Sequence, residues 1–339
     1  VRGDRIGWLG GLTVETKDCR LLLDPVPGRS VGRDTNVFIS HAHADHTYGF
    51  TLDATKYATA PTRQTYESLS QRHVRDCKEV ALKSKFKLDG VEIVPLNAGH
   101  MLGSAQFKIF TNEQTILYTG DLNCLDTLTT QAAEQTDCDL LVIEATYGDP
   151  SYIFPRRERT YARIVQWTLN QIRGGKIPVF HVYSAGKAQE LVRLFNLYTN
   201  VRVLCSRSIS KVNRTYCENG LKLCYESLVD SNVIRDARTD PSVILTTTSR
   251  DWSTSGHVSH ALATGWALRI HSPGPTSFPL SSHADFKQLL EFIRGTKAKM
   301  VYTFGGFPDT FPNYVKKRLH IEAKPIPLLM QTRLLDYSG

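Results

Sequence analysis

The sequence predicts an α/β protein: a strand-rich first part, an α/β segment set into it, and a return to the first part's fold at the end. Three observations predict it. Short apolar runs bounded by turn residues fill the first 150 residues, which carry little helical pattern. Beyond them, strand-like and helix-like stretches alternate. A cluster of three histidines and an aspartate, His41-Ala42-His43-Ala44-Asp45-His46, directly follows one of the apolar runs.

The elements follow in chain order. Arg20 to Asp24 (RLLLD), Asn36 to Ser40 (NVFIS), Val91 to Leu96 and Thr115 to Tyr118 are short runs of the kind that form buried strands. Pro61 to Arg72 mixes apolar and polar positions at helical spacing. Leu140 to Ile143 (LLVI) is a further buried strand. The pattern then changes. Glu158 to Ile172 reads as an amphipathic helix, Pro178 to Tyr183 as a strand and Gly186 to Tyr198 as a helix. Such alternation marks a parallel α/β unit, and it continues through Val201 to Cys205, Val243 to Thr247 and the region near Gly265. Three prolines and a glycine predict a loop from His271 to Pro279. Helix Phe286 to Arg294 and strand Met300 to Phe304 close the pattern.

Composition narrows the class. A chain of 339 residues, 41% apolar, can bury a large core. No run of about 18 uncharged apolar residues reads as a membrane span, and the N-terminus lacks a basic-then-apolar leader pattern. Seven irregularly spaced cysteines make a poor disulfide framework, so reduced thiols and a cytoplasmic setting are expected. The net charge of +8 fits an anionic partner. Arg156, Arg157 and Arg159, and Lys316, Lys317 and Arg318, form local basic clusters that read equally well as solvated helix faces.

The histidine cluster carries the chemistry. His41 and His43 alternate, so both can reach one ion from one side of a loop, while Asp45 and His46 face a second. Imidazole and carboxylate suit zinc and leave coordination positions for water. HAHADH resembles the HxHxDH signature of the metallo-β-lactamase superfamily. The other parts of that signature follow in order: Asp24 in LLLDP, His100 in NAGHMLGSA and Asp121 in LYTGD. The resemblance implies that His41, His43 and His100 hold a first zinc. It gives Asp45 and His46 to a second, makes Asp121 the bridge and leaves Asp24 to orient ligands. Two ions about 3.5–4 Å apart would activate a water and clamp a substrate oxygen.

That superfamily also contains thioesterases and lactonases, so the second half must choose the substrate. DLLVIEATYGD (139–149) resembles the acidic motif of the β-CASP nucleases, which makes Glu144 the matching acid. LSSHAD (280–285) resembles their SAHxD motif, with His283 as the matching histidine, and YSAGKAQE (183–190) resembles a helix start in their inserted domain. The wording, including the later ATGW, is similar to short prokaryotic ligase-associated exonucleases and messenger RNA 3′-end processing factors. A phosphodiester leaving group is an alkoxide, and a Glu–His pair can hold an imidazolium beside it. Ser184 and Lys187, between a strand and a helix N-terminus, form a candidate phosphate contact, with packing of Gly186 as the alternative.

One departure stands out. Where RNA-processing members carry a further zinc-binding histidine at a strand end, this chain has Phe304. The second zinc site is therefore expected to be weaker or filled by another divalent ion such as manganese. The DNA-directed branch also lacks that histidine, which tilts the expectation slightly towards DNA.

The expected architecture is a four-layer αββα core from residues 1–150 and 272–339, with 151–271 as an inserted α/β domain and the site in the cleft between them. The expected activity is hydrolysis of single-stranded DNA or RNA, exonucleolytic in preference, leaving 5′-phosphates as the family does. DNA-repair or RNA-processing proteins are possible associates, and no membrane is expected. The alternatives are an RNA-processing ribonuclease, a small-ester hydrolase on the same fold and a non-catalytic nucleic-acid-binding scaffold.

Overall fold

The computed structural model describes residues 3–28, 31–32, 35–228, 240–247, 257–269 and 274–329. Two sheets pack face to face. The first has strands in chain order: Arg5–Trp8, Leu12–Glu15, Arg20–Leu23, Asn36–Phe38, Thr55–Ala58 and Cys77–Glu79. The second runs, in spatial order, Glu322–Pro325, Met300–Phe304, Leu140–Glu144, Thr115–Tyr118, Ala105–Phe110, Val91–Asn97 and Phe86–Leu88. Its two outer strands at one edge come from the far end of the chain, and Met300–Phe304 lies parallel to Leu140–Glu144.

Period-two side-chain direction builds the layers. Leu21, Leu23 and Phe38 point inwards and meet Leu140, Val142, Ile116 and Tyr118 from the facing sheet in one buried core. Val37 and Ile39 point outwards with Phe50 and Tyr66. Tyr66 belongs to helix α1 (Ala60–Ser70), which starts at Thr59, whose side chain accepts from Thr62 N. Leu141, Ile143 and Val301 point outwards on the second sheet. They pack under α5 (Phe286–Thr296) and α6 (Phe311–Leu319), through Phe286, Leu289, Ile293, Phe311 and Val315. The result is the four-layer αββα order.

Between Glu144 and Met300 the chain builds a third sheet whose pairs are all parallel. Its spatial order is Glu226–Ser227, Arg202–Cys205, Ser242–Thr246, Ile177–His181, Val258–Ala263 and Thr276–Phe278. Helices α2 (Arg157–Arg173), α3 (Lys187–Tyr198) and α4 (Arg207–Glu218) supply one core against it, with Ile164, Leu191, Phe195 and Ile209 among its members. Two expectations change. The proline-rich stretch read as a loop contains the edge strand Thr276–Phe278, because its prolines flank the strand and cost the ladder nothing; residues 271–273 lie outside the described residues. This strand belongs to the third sheet although it falls past residue 271. Near Gly265 the chain makes a short 3-10 helix, Gly265–Leu268.

The third sheet's helices meet the core beside the metal-binding motif. Ala42 and Met101 share an apolar cluster with Ala185, Val212 and Tyr216, and Leu102 N donates to Tyr216 Oη at 3.1 Å. The seven cysteines are free thiols. Among the described residues no helix is long and apolar enough to cross a membrane.

Candidate metal and catalytic centre

Strand ends bring the predicted residues to one cleft. Asp24 follows strand Arg20–Leu23, and the HAHADH loop follows Asn36–Phe38. Asp121 follows Thr115–Tyr118, and Glu144 ends Leu140–Glu144. Gly120 permits the approach of Asp121: its φ is +52°, and a Cβ there would fall 2.7 Å from the Ser40 side chain. The cleft encloses about 1010 Å³ and is lined by residues from both the two-sheet core and the third-sheet region.

Four donor atoms converge first. His43 Nδ1 lies 3.2 Å from His41 Nε2 and 3.0 Å from His100 Nε2. Asp121 Oδ2 lies 3.5 Å from His41 Nε2 and 3.8 Å from His100 Nε2. The second nitrogen of each ring is spoken for. His41 Nδ1 sits 2.9 Å from Ser40 Oγ, His43 Nε2 donates to Ala185 O at 3.2 Å, and His100 Nδ1 donates to Ser282 O at 2.7 Å. Each ring therefore turns a lone pair towards the common point. Tetrahedral ligands on an ion with bonds of about 2.0–2.1 Å stand about 3.4 Å apart, so the donor set fits a divalent metal.

A second group opens beside the first. Asp121 Oδ1 lies 3.6 Å from His46 Nε2, and Asp45 Oδ2 lies 3.7 Å from the same nitrogen. Asp121 thus turns one oxygen to each group. His46 Nδ1 donates to Asp24 Oδ2 at 2.8 Å. Asp24 also accepts from Ser40 N, Ser40 Oγ and Tyr118 Oη. Its backbone sits at φ +45°, a strained setting for a non-glycine residue that these bonds hold in place. Phe304 stands in register with Glu144 and stacks on Tyr118 and Trp8, its ring centroid 5.4 Å and 6.4 Å from theirs. It gives this side of the cleft a phenyl wall.

The third group is the Glu–His pair. Glu144 is buried and accepts from Leu122 N at 2.7 Å. His283 Nδ1 lies 2.9 Å and 3.0 Å from its two oxygens, and His283 Nε2 lies 3.9 Å from Asp121 Oδ2. The LSSHAD turn that presents His283 is fixed from both sides. His283 N donates to Ser281 Oγ at 2.9 Å, and Asp285 caps α5 by accepting from Gln288 N. Arg157 Nη2 donates to Ser281 O at 2.6 Å and the guanidinium also pairs with Glu190. Arg157 is therefore held in a largely covered ion pair, not part of a solvated face, because a partner carboxylate and carbonyl await it.

Charge follows geometry. Burial and the neighbouring imidazoles hold His41 well below the ordinary histidine value, and burial takes His43 down to about 4. His100 is lowered for the same reasons. Burial would lower His46 too, but Asp121 and Asp24 outweigh it and bring it to about 10. Burial opposes charge on His283 as well, and Glu144 and Asp121 overcome it, so its value is raised. Asp121 is pushed up to about 6, chiefly by burial.

Ser184 and Lys187 reach the same cleft. Burial lowers the Lys187 ammonium to about 8, and its Nζ lies 5.0 Å from the Tyr183 ring centre. Gly186 N is capped by Gln189 Oε1 at 2.8 Å. Sequence reasoning missed Ser40, Tyr118 and the carbonyls of Ala185 and Ser282. Ser40 adjoins the motif and had a signal; a backbone carbonyl has none.

The family model of the beta-lactamase superfamily domain matches residues 18–176, which span Asp24, the HAHADH loop, His100, Asp121 and Glu144. Residues 18–176 thus carry a beta-lactamase superfamily domain, in keeping with the metallo-β-lactamase resemblance of the sequence. Members of the superfamily bind divalent metals, in keeping with the His/Asp groups above. Among curated relatives, a probable DNA ligase of Opitutus terrae is 28% identical over 294 residues, covering 83% of this chain and 28% of that protein. An RNase J-like protein of Methanocaldococcus jannaschii is 29% identical over 55% of this chain and 51% of its own length. Integrator complex subunit 11 of Gallus gallus is 30% identical over 48% of this chain and 32% of its length. The chain thus spans about half or less of the length of these relatives. A solved structure of a protein of unknown function from Enterococcus faecalis V583 superposes with a TM-score of 0.67 at 13% identity, covering 94% of this chain and 95% of that one. The two chains share a fold.

Proposed function

We propose that the protein is a metal-dependent nuclease that hydrolyses phosphodiester bonds of single-stranded nucleic acid, acting from strand ends and on DNA in preference to RNA. The observation that carries this reading is the Glu144–His283 pair, placed with His283 Nε2 3.9 Å from the Asp121 carboxylate. A thiolate leaves a thioester without such a proton donor, whereas an alkoxide leaving from phosphorus benefits from one. The names RNase J-like protein and probable DNA ligase among the relatives point to nucleic-acid chemistry. The missing histidine at Phe304 tilts the choice to DNA.

His41, His43, His100 and Asp121 would hold one zinc, and His46, Asp45 and Asp121 a second ion, zinc or manganese. Bound there, the ions supply an activated water and neutralise charge on the phosphate. The chain's own residues do the rest. Asp24 orients His46, and Ser40 orients His41. Glu144 keeps His283 protonated and aimed, so that Nε2 delivers its proton to the departing oxygen. Ser184 and Lys187 bind a neighbouring phosphate. Residues 1–150 and 272–339, apart from the third-sheet strand Thr276–Phe278, act as the core and 151–271 as the inserted domain that walls the cleft; DNA-repair or RNA-processing proteins are candidate partners.

The test is a purified protein with zinc or manganese, given matched 5′- and 3′-labelled DNA and RNA strands. Stepwise shortening of DNA with 5′-phosphate products is expected. His283→Ala should slow cleavage on the order of 10²–10⁴-fold. Undiminished cleavage by that variant points instead to an ester hydrolase with incidental activity. Binding that survives EDTA with no cleavage under any metal points to a scaffold.

A further inference from the structure

Three aromatic side chains are exposed among the described residues: Tyr183, Tyr198 and Trp266. Two of them, Tyr183 and Trp266, line the cleft. Tyr183 is 67% exposed, yet its ring centre is 6.0 Å from that of His43. The Lys187 ammonium lies over its ring at 5.0 Å, and two thirds of the side chain remains exposed. Trp266 is 42% exposed and rests on Tyr147 at 4.8 Å and Tyr152 at 5.2 Å, both buried. Tyr147 in turn lies 5.9 Å from His283. Gly265 allows that seating, since a Cβ there would fall 2.3 Å from Tyr147 Oη. One open ring therefore stands beside the metal ligands and a second stands one ring away from the Glu–His pair.

Resting on the nuclease reading above, we propose that Tyr183 and Trp266 are nucleobase platforms, stacking two unpaired bases that flank the scissile phosphate. Exposed aromatic faces beside a cation bind bases without choosing among them, because every base offers a π-face. A base inside a duplex has both faces covered by its neighbours, so only an unstacked strand can use both rings. The platforms thus make the cleft selective for single strands and tolerant of sequence. The chemistry recognised is a nucleobase on a phosphodiester chain, from DNA or RNA.

The experiment uses the full chain loaded with zinc or manganese and fluorescein-labelled single strands of DNA and of RNA, each intact or with one abasic site moved along the strand. For the wild-type protein an abasic site at the two platform positions should raise KM about tenfold to a hundredfold, and at other positions little. Tyr183→Ala should raise KM for the intact strand by a similar factor and erase the penalty at one position only; Tyr183→Phe should restore it. Trp266→Ala should do the same at the other position, and Tyr198→Ala, outside the cleft, should change nothing. A flat abasic scan, or wild-type KM in both cleft variants, overturns the platforms while cleavage itself upholds the nuclease reading. A wild-type protein that neither binds nor cuts either strand overturns both. A penalty seen with DNA strands alone, or RNA strands alone, identifies the source of the bases.

Discussion

His41 and His43 differ from Asp45 and His46 in their neighbours and in their proton affinity, although six consecutive residues hold all four. The first pair sits among imidazoles, with low proton affinity and the outer nitrogens fixed by Ser40 and Ala185. The second pair is carboxylate-rich: the Asp45 side chain is 80% exposed, His46 is largely covered but raised in proton affinity by Asp121 and Asp24, and Phe304 lines the same cleft. The difference teaches that one pocket is preorganised by packing, while the other depends on charge and on what enters from the cleft. A rigid set of neutral imidazoles selects a soft divalent ion; an open set of carboxylates accepts several.

The comparison can be broken most severely at its hinge. Asp121 turns an oxygen to each pocket, so Asp121→Ala should abolish measurable cleavage and strip both ions. Metal content measured by mass spectrometry after dialysis checks this, and retention of one tightly held ion would mean that the pockets are independent.

Acid should separate the pockets next. In the metal-free protein His43 sits at about 4 against an ordinary 6.5. The folded chain therefore binds fewer protons than the unfolded chain between those values, and stability is lost as pH falls from about 6.5 towards 4. His43 alone accounts for roughly 3 kcal/mol. His46 has the opposite sign: raised to about 10, its contribution is complete below about 6.5 and disappears as pH climbs through 10. Urea midpoints of EDTA-treated protein across this range, with His43→Asn making the acid limb shallower while His41 and His100 keep part of it, measure the effect.

Asp24→Ala should cost about 10–100-fold in metal affinity or activity, mostly at the open pocket, since His46 leans on it directly. Equal loss at both pockets would show that Ser40, which donates to Asp24 and accepts from His41, carries the effect across. The smallest expected change is a gain. Phe304→His should tighten the second ion about tenfold, the order expected when a supporting group is restored. An unchanged zinc stoichiometry in that variant would place Phe304 too far to matter.

How much of this was legible depends on the residue. HAHADH is compact in sequence, so its ligands announce themselves, and LLVIEATYGD and LSSHAD could be read by resemblance. Strands Arg20–Leu23, Asn36–Phe38, Val91–Asn97, Thr115–Tyr118 and Leu140–Glu144 and helices α1, α2 and α3 followed from apolar spacing because each has one face on a core, whereas the interior strands Leu12–Glu15, Thr55–Ala58 and Ala105–Phe110 went unread. The strand Thr276–Phe278 did not, since prolines dominate its surroundings and only pairing with Val258–Ala263 makes it a strand. Helices α4 and α6 went unread. Arg157 was read as a surface charge because nothing local reveals that Glu190, on another helix, would meet it.

The sequence by itself determined the ligand types, the order of the strands that present them and the absence of a histidine at position 304, because those are properties of residues and their spacing. Only the tertiary structure decided which nitrogen of each ring faces the common point, how near the Asp121 oxygens come to each group and that Tyr183 and Trp266 stand at the cleft. Those facts depend on backbone carbonyls and packed neighbours from distant segments, and such partners leave no mark at the positions they serve.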